Sequence, residues 1–151
     1  MLRLPKKMMF SIEAVLDIAY HASGGPVLCR DITRRQGIPK RYLEQALQQL
    51  VRKGILIGVR GPKGGYRLAR ERRRVSIGDI VRVVREIETG EDPLDSSSGS
   101  ALGSTVVRPM WRELQSDVLH HMDSITIDDL CTRANDAGIE SEGRKSLDFS
   151  I

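Results

Sequence analysis

The chain has 151 residues and a formal net charge of +4, a length that allows one domain or a small domain with an accessory element. Its 40% hydrophobic residues can supply a core, but 4% aromatic residues argue against a stacking surface for single-stranded nucleic acid. No apolar run approaches the ~20 residues of a membrane span. The two cysteines are too few for a disulfide framework, so we expect a cytoplasmic protein with no membrane partner.

The charge is distributed unevenly along the chain. Residues 1–88 contain 19 Lys and Arg against 8 Asp and Glu, whereas residues 89–151 contain 5 against 12. This division predicts a polyanionic partner for the first half only, and double-stranded nucleic acid is the leading candidate. An anionic membrane surface is the competing partner, but it would require a basic amphipathic helix with large exposed apolar residues.

The first half predicts three helices followed by a β-hairpin. Helical spacing over 8–21 places Met9, Ile12, Leu16 and Ala19 toward a core, with Glu13 and Asp17 on another face. Helices over 30–36 and 40–53 follow, separated by a Gly and a Pro, and the second has a leucine stripe. Short β-rich runs at 55–59 and 66–69 flank a basic, glycine-rich turn, which predicts a hairpin.

The outer face of the third predicted helix carries residue types that bind base edges. Arg suits guanine, Gln suits adenine, and a carboxylate accepts from the cytosine amino group. Two short helices and a hairpin follow the order of a winged helix-turn-helix, whose recognition helix docks its N-terminal part in the major groove. An ordinary solvated polar face is the alternative. The candidate residues are Lys40, Arg41, Glu44, Gln45 and Gln48.

The turn of the hairpin is the more specific signal. We expect Arg60 to enter a minor groove, whose negative potential attracts Arg, and the glycines to let the backbone approach phosphates. A generic glycine-rich turn is the alternative. A nucleotide-binding loop is excluded because Lys63 precedes Gly64 rather than Ser or Thr. The candidate turn residues are Arg60, Gly61, Pro62, Lys63 and Gly64.

The second half predicts a linker, two helices and a tail. Residues 89–104 are rich in Ser and Gly and predict a flexible linker, and residues 137–151 predict a disordered tail. Between them, a long helix from about residue 105 precedes a short capped helix. An apolar stripe on the long helix predicts a symmetric partner helix, although packing on its own domain is the alternative. The stripe comprises Val107, Met110, Trp111, Leu114, Val118 and Met122.

Three sequence runs resemble the signature of the Rrf2 family of bacterial transcription regulators: Tyr42-Leu43-Glu44-Gln45, Gly54-Ile55-Leu56, and the run from Val59 to Ala69. The resemblance covers about residues 1–135. It implies a mainly α fold with a small β-hairpin wing, in which a winged helix-turn-helix domain (1–88) is joined to a dimerisation region (105–136). It also implies a homodimer on a palindromic operator, with base contacts near Tyr42 and Glu44 and minor-groove insertion of Arg60.

Many members of that family hold an iron–sulfur cluster on three cysteines between the fourth helix and the dimer helix. The corresponding residues 90–107 contain no Cys and no His here, and serine hydroxyls are poor ligands for a soft metal site. We therefore expect no cofactor and no metal. Cys29 and Cys131 are interpreted as small buried hydrophobes, and Asp117 with His121 lacks a third ligand.

The last residues, Asp148, Phe149 and Ile151, form a candidate docking peptide, since the chain end offers a carboxylate beside an aliphatic side chain. They resemble the C-terminus of serine acetyltransferases, whose final Ile enters the active site of O-acetylserine sulfhydrylase. The resemblance implies that enzyme as a partner and cysteine status as the signal.

The sequence thus predicts a repressor rather than an enzyme, since no nucleophile–base pair or cofactor loop is present. A redox- or metal-responsive regulator, or an adaptor using the winged domain to bind protein, are the alternatives.

Overall fold

A computed structural model describes residues 4–87 and 99–144. It is mainly helical with one two-stranded antiparallel sheet, which confirms the predicted fold class. The helices are α1 (Lys6–Tyr20), α2 (Cys29–Gln36), α3 (Lys40–Arg52), α4 (Ile77–Ile87), α5 (Arg108–Asp123) and α6 (Ile127–Asp136), and the strands are β1 (Leu56–Val59) and β2 (Gly65–Leu68). A 3₁₀ turn (Arg72–Arg74) precedes α4, and a π-helical segment (Gly103–Val107) precedes α5. None of the described helices is long and apolar enough to cross a membrane.

Helix α1 is the centre of the core and packs against α2, α3, α4, α6 and β2. Its buried apolar residues are Met8, Ala14, Val15, Ile18 and Tyr20. The predicted core face was wrong in its register: Met9 is exposed, and Ile12, Leu16 and Ala19 are only partly buried. A helix enclosed by five elements buries more than one stripe, so the apolar period alone does not identify its most buried face.

Asp17 is the largest departure from the predicted α1. It was expected on a polar face, yet its side chain is fully buried and accepts hydrogen bonds from Arg35 at 2.8 and 2.7 Å and from Gln36 at 2.8 Å. A buried carboxylate requires such partners because its desolvation is otherwise costly. The ion pair therefore joins α1 to the end of α2.

Helices α2 and α3 form the helix-turn-helix, and the hairpin forms the wing. The leucine stripe of α3 is confirmed, since Leu43, Leu47 and Leu50 are completely buried. The strands pair from Leu56 opposite Leu68 to Val59 opposite Gly65. Val27, just before α2, exchanges two 2.8 Å backbone hydrogen bonds with Tyr66, which ties the wing to the helix-turn-helix.

The N-termini of α4 and α6 lie side by side. Both helices begin with a capping box: Ser76 pairs reciprocally with Asp79, and Thr126 with Asp129. Ile77 N–H donates to the Ile125 carbonyl and Ile127 N–H to the Val75 carbonyl, both at 2.8 Å. Because α6 also buries Ile127 and Cys131 in the core of α1–α4, the end of the predicted dimerisation region packs into the winged domain itself.

The helical path before α5 starts earlier than predicted. Residues 101–107 are already helical, whereas the sequence predicted a flexible linker as far as residue 104; residues 88–98 of that linker lie outside the described part of the chain. Pro109 occupies the first turn of α5. Proline lacks an N–H and crowds the preceding turn, which is a physical reason for the wider π-helical segment directly before it.

Residues 138–144, which we call the strap, were predicted to be disordered, and this was wrong for that segment. The Ser141 hydroxyl donates to the Tyr20 carbonyl at 2.7 Å, and Ser141 and Gly143 are buried. Glu142 pairs with Arg34 and Arg35 of α2. The polar composition of the strap gave no sign of these contacts in the sequence, because the contacts satisfy polar groups rather than bury apolar ones. Residues 145–151 lie outside the described part of the chain.

Candidate DNA-binding site

A groove of about 1110 Å³ runs between the N-terminal part of α2, the outer face of α3 and the wing. Three of the predicted recognition residues line it from α3, namely Lys40, Glu44 and Gln48. Four of the predicted turn residues line it from the wing: Arg60, Gly61, Pro62 and Gly64. The fold thus brings two stretches, separated along the chain by the C-terminal part of α3 and by β1, to one concave surface.

The predicted recognition residues are all exposed, but they divide between two sides of α3. Lys40 and Glu44 face the groove and form a 3.8 Å ion pair one turn apart. Tyr42 and Gln45 instead line a smaller cavity of about 280 Å³ beside α1, where the Tyr42 ring lies 6.4 Å from that of Phe10. Gln48 contacts both cavities. The structure therefore separates Tyr42 from the wing-facing set.

The wing presents Arg60 and Lys63 to solvent on a tightly built turn. Gly61 has a φ of 110°, which favours glycine, and its carbonyl accepts a 2.9 Å bond from the Gly64 N–H. A Cβ on Gly64 would overlap the Val59 and Gly61 carbonyl oxygens. Gly64 is buried, and the atoms that exclude a side chain at this position belong to the turn itself.

Sequence reasoning missed several residues that line the groove. Arg30 in the first turn of α2 and Arg52 at the end of α3 are exposed there. Their place on the two helices of a helix-turn-helix was the signal that could have identified them. Thr33 also lines the groove, and its buried hydroxyl has no hydrogen-bond partner within the part of the chain that the structure describes.

Cys29 and Tyr66 occupy the inner part of the groove. Partial burial raises the pKa of the Cys29 thiol above its ordinary value, and the nearby Glu44 carboxylate raises it further. Burial likewise raises the pKa of Tyr66. Both groups are therefore protonated at neutral pH, and the charges facing the groove come from Arg30, Lys40, Glu44, Arg52 and Arg60.

A second exposed surface lies on α5, which has no buried residue along its 16 positions. Val107, Met110, Trp111, Leu114 and Val118 are exposed as the predicted stripe requires. Met122 departs from it, because it packs on the core of its own chain together with Leu119. Leu102 and Val106, absent from the predicted stripe, extend the exposed apolar surface toward the N-terminus of the helix.

A helix-turn-helix tied to a basic wing, with polar side chains and cations along one groove, defines a winged-helix protein of the DNA-binding class. The comparisons with known proteins agree. Residues 4–133 match the family model described as Rrf2, iron-dependent transcriptional regulator. The chain belongs to the Rrf2 family of transcriptional regulators.

The similar proteins cover nearly the whole chain. The HTH-type transcriptional regulator IscR of Vibrio cholerae is 35% identical over 152 residues, covering 99% of this chain and 86% of that protein. The structure of T. potens IscR superimposes with a TM-score of 0.72 at 32% identity, covering 93% of each chain. CymR, the global cysteine regulator of B. subtilis, gives a TM-score of 0.69 at 26% identity, covering 88% of this chain and 98% of that one. These relatives are transcriptional regulators, which confirms the prediction that the chain is not an enzyme.

Proposed function

We propose that the protein is a homodimeric repressor that binds a palindromic operator through the groove between α2, α3 and the wing. The observation that carries this proposal is the groove itself, where Lys40, Glu44 and Gln48 face Arg60 across one concave surface. In this arrangement α3 enters the major groove, Arg60 enters the adjacent minor groove, and Arg30 and Arg52 contact phosphates. Occupancy of a promoter by the dimer excludes polymerase.

Two copies pair through the exposed apolar face of α5. Trp111, Leu114 and Val118 recur at helical spacing and remain between 36% and 47% exposed in the single chain. A continuous apolar face of this kind marks an interaction surface, and a twofold axis across α5 would present two wings to the two halves of a palindrome.

The repressor works without an iron–sulfur cluster, although its family is described as iron-dependent. The donor set does not fit such a cluster. Cys29 lies in the groove and Cys131 in the core, and burial raises the pKa of both thiols, which disfavours the thiolate that binds metal. The described residues contain no group of three potential ligands, and residues 88–98 add no Cys or His.

The signal is sulfur status, delivered by O-acetylserine sulfhydrylase bound to the chain end. Asp148, Phe149 and Ile151 form the docking peptide, and the likeness to the cysteine regulator CymR favours this signal. When O-acetylserine occupies the enzyme pocket, the peptide is displaced and the repressor loses its partner.

Selection of duplexes from a random library by the purified chain tests the central proposal. We expect an enriched palindrome bound by two protomers, with an affinity that falls steeply as salt rises. A non-palindromic consensus bound by one protomer, or no enrichment, would contradict it.

Two measurements test the finer parts. Protein purified without oxygen should be colourless and free of stoichiometric iron and sulfide. The host's sulfhydrylase should bind the chain but not a variant lacking Ile151; equal binding of both, or of neither, would exclude the docking peptide.

A further inference from the structure

Helix α2 is weakly packed for a part of a DNA-binding motif. Of its eight residues only Ile32 is buried, and its N-cap, Leu28, offers no side-chain hydrogen bond. Polar contacts at its C-terminal turn therefore add to the packing of Ile32 in holding it in place. One of these is the bidentate bond from Arg35 to the buried Asp17 of α1, at 2.8 and 2.7 Å.

The strap supplies a further contact. The Glu142 carboxylate accepts hydrogen bonds from Arg34 at 3.2 and 2.9 Å and from Arg35 at 2.6 Å. These bonds, that from Arg34 foremost, lower the pKa of Glu142 to about 2, so the carboxylate is ionised at every physiological pH. Charge-assisted bonds to two consecutive arginines fix the last turn of α2 from the solvent side.

The strap is itself seated against the end of α1. Tyr20 donates its hydroxyl to the Ile139 carbonyl, and Ser141 donates to the Tyr20 carbonyl. The Glu142 N–H donates to Nδ1 of His21 at 3.1 Å. A Cβ on Gly143 would overlap the Ala22 carbonyl oxygen, so the backbone of the strap passes directly over the α1–α2 connection.

We propose that the strap is a clasp that holds α2 against α1 and thereby couples the strap to the DNA-binding groove. The same short helix that the strap grips at Arg34 and Arg35 forms one wall of the groove through Leu28, Cys29, Arg30 and Thr33. Through α2, the clasp acts on the placement of Arg30 in the groove. The coupling to DNA rests on the proposed DNA binding, whereas the clasp does not.

The clasp is tested first in the full chain without DNA, by hydrogen exchange. Glu142→Gln removes the ion pairs, and Gly143→Val removes the close approach without changing charge. Both should accelerate amide exchange in the strap and in α2 by about threefold to tenfold, the range that two ion pairs near the surface can account for, while exchange in α3 and α4 stays unchanged. Asp136→Asn, at the end of α6, is the matched charge control and should leave α2 as it is. Unaltered α2 exchange in both strap variants would overturn the clasp.

The coupling is tested on the duplex that the unaltered chain selects from a random library. Glu142→Gln and Asp136→Asn each remove one negative charge, and charge alone predicts tighter binding for both. Release of α2 predicts the reverse for Glu142→Gln and Gly143→Val, with affinity about threefold to tenfold weaker. Accelerated α2 exchange with unchanged or tighter DNA binding would overturn the coupling. If no duplex is bound by the unaltered chain, the proposed function fails, and the exchange experiment alone decides on the clasp.

Discussion

Helices α3 and α5 carry similar amphipathic patterns but use them in opposite ways. On α3, Leu43, Leu47 and Leu50 are fully buried, and the polar face is open to the groove. On α5, Leu114 and Val118 are 47% and 45% exposed, and no residue is buried. The apolar stripe of α3 is satisfied within the chain, which frees its polar side for another molecule. The apolar stripe of α5 is not satisfied within the chain, so the apolar side of α5 is the one that needs a partner.

The largest expected contrast is in folding stability. Leu47→Ala should lower the free energy of unfolding by about 2–5 kcal/mol, because it leaves a cavity in a packed core. Leu114→Ala, measured at a protein concentration where the chain is monomeric, should change it by less than about 0.5 kcal/mol. Denaturant unfolding followed by circular dichroism measures both. A large loss for Leu114→Ala in the monomer would mean that Leu114 packs on its own chain.

Self-association should depend on the apolar side of α5 and not on its opposite side. Leu114→Glu places a charge in the centre of the α5 stripe and should weaken the dimer by about 2 kcal/mol or more, as expected for an interface hot spot. Ser116→Glu, which adds the same charge on the opposite side of α5, should leave the dimer intact. Sedimentation equilibrium distinguishes the two; equal behaviour of both variants would place the interface elsewhere.

The open face of the winged domain is probed through Arg60. Arg60→Ala should cost about 1–3 kcal/mol in binding to the selected duplex with no loss of folding, since the side chain is exposed. Arg60→Lys keeps the charge but loses the planar guanidinium, so its affinity should lie between those of the unaltered chain and Arg60→Ala. Arg133→Ala on α6 is the control for a lost charge away from the groove. Fluorescence anisotropy of labelled duplex gives all four affinities, and an Arg60→Ala affinity no weaker than that of Arg133→Ala would remove Arg60 from the interface.

The smallest expected effect is a pH dependence of the stability that His21 contributes beneath the strap. Burial is the main reason why the pKa of His21 lies below its ordinary value of 6.5, and the nearby Arg34 and Arg35 lower it against the opposing charges of Asp17 and Glu142. A depressed histidine pKa in the folded state favours the neutral ring, so its stabilising contribution is present above about pH 6.5 and is lost as the pH falls through the folded pKa. Protonation also removes the Nδ1 acceptor used by the Glu142 N–H.

Thermal unfolding between pH 8 and pH 5 checks this dependence. The difference in melting temperature between the unaltered chain and His21→Asn should shrink or reverse as the pH falls below about 6.5. Glu142, with a pKa of about 2, stays ionised over this range and does not contribute to the change. A constant difference across the range would show that His21 does not titrate within the strap.

Much of the fold and part of the site were predictable because their signals are local. The two capping boxes join residues three apart, the α3 stripe repeats at helical spacing, and the glycine-rich turn constrains its own backbone. Such features require only neighbours along the chain, so the winged-helix order and the groove residues Lys40, Glu44, Gln48 and Arg60 follow from the sequence.

Other site residues could not be assigned to the correct side of their helix without the tertiary structure. Tyr42 and Gln45 lie on the α1 side of α3 rather than on the wing side, and Met122 faces the core rather than the open stripe. Each of these residues satisfies the same periodicity as its neighbours. Only the position of α1 beside α3, and of α4 beside α5, determines which side of a helix is covered.

By itself the amino-acid sequence determined the helices, the wing, the basic character of the first half and the lack of clustered cysteines. Tertiary structure decided what the isolated charges do. Asp17 meets Arg35 across 18 positions, and Arg35 meets Glu142 across 107. No local period records such pairs, because their free energy depends on burial and on the close approach of chain segments that only the packed core brings together.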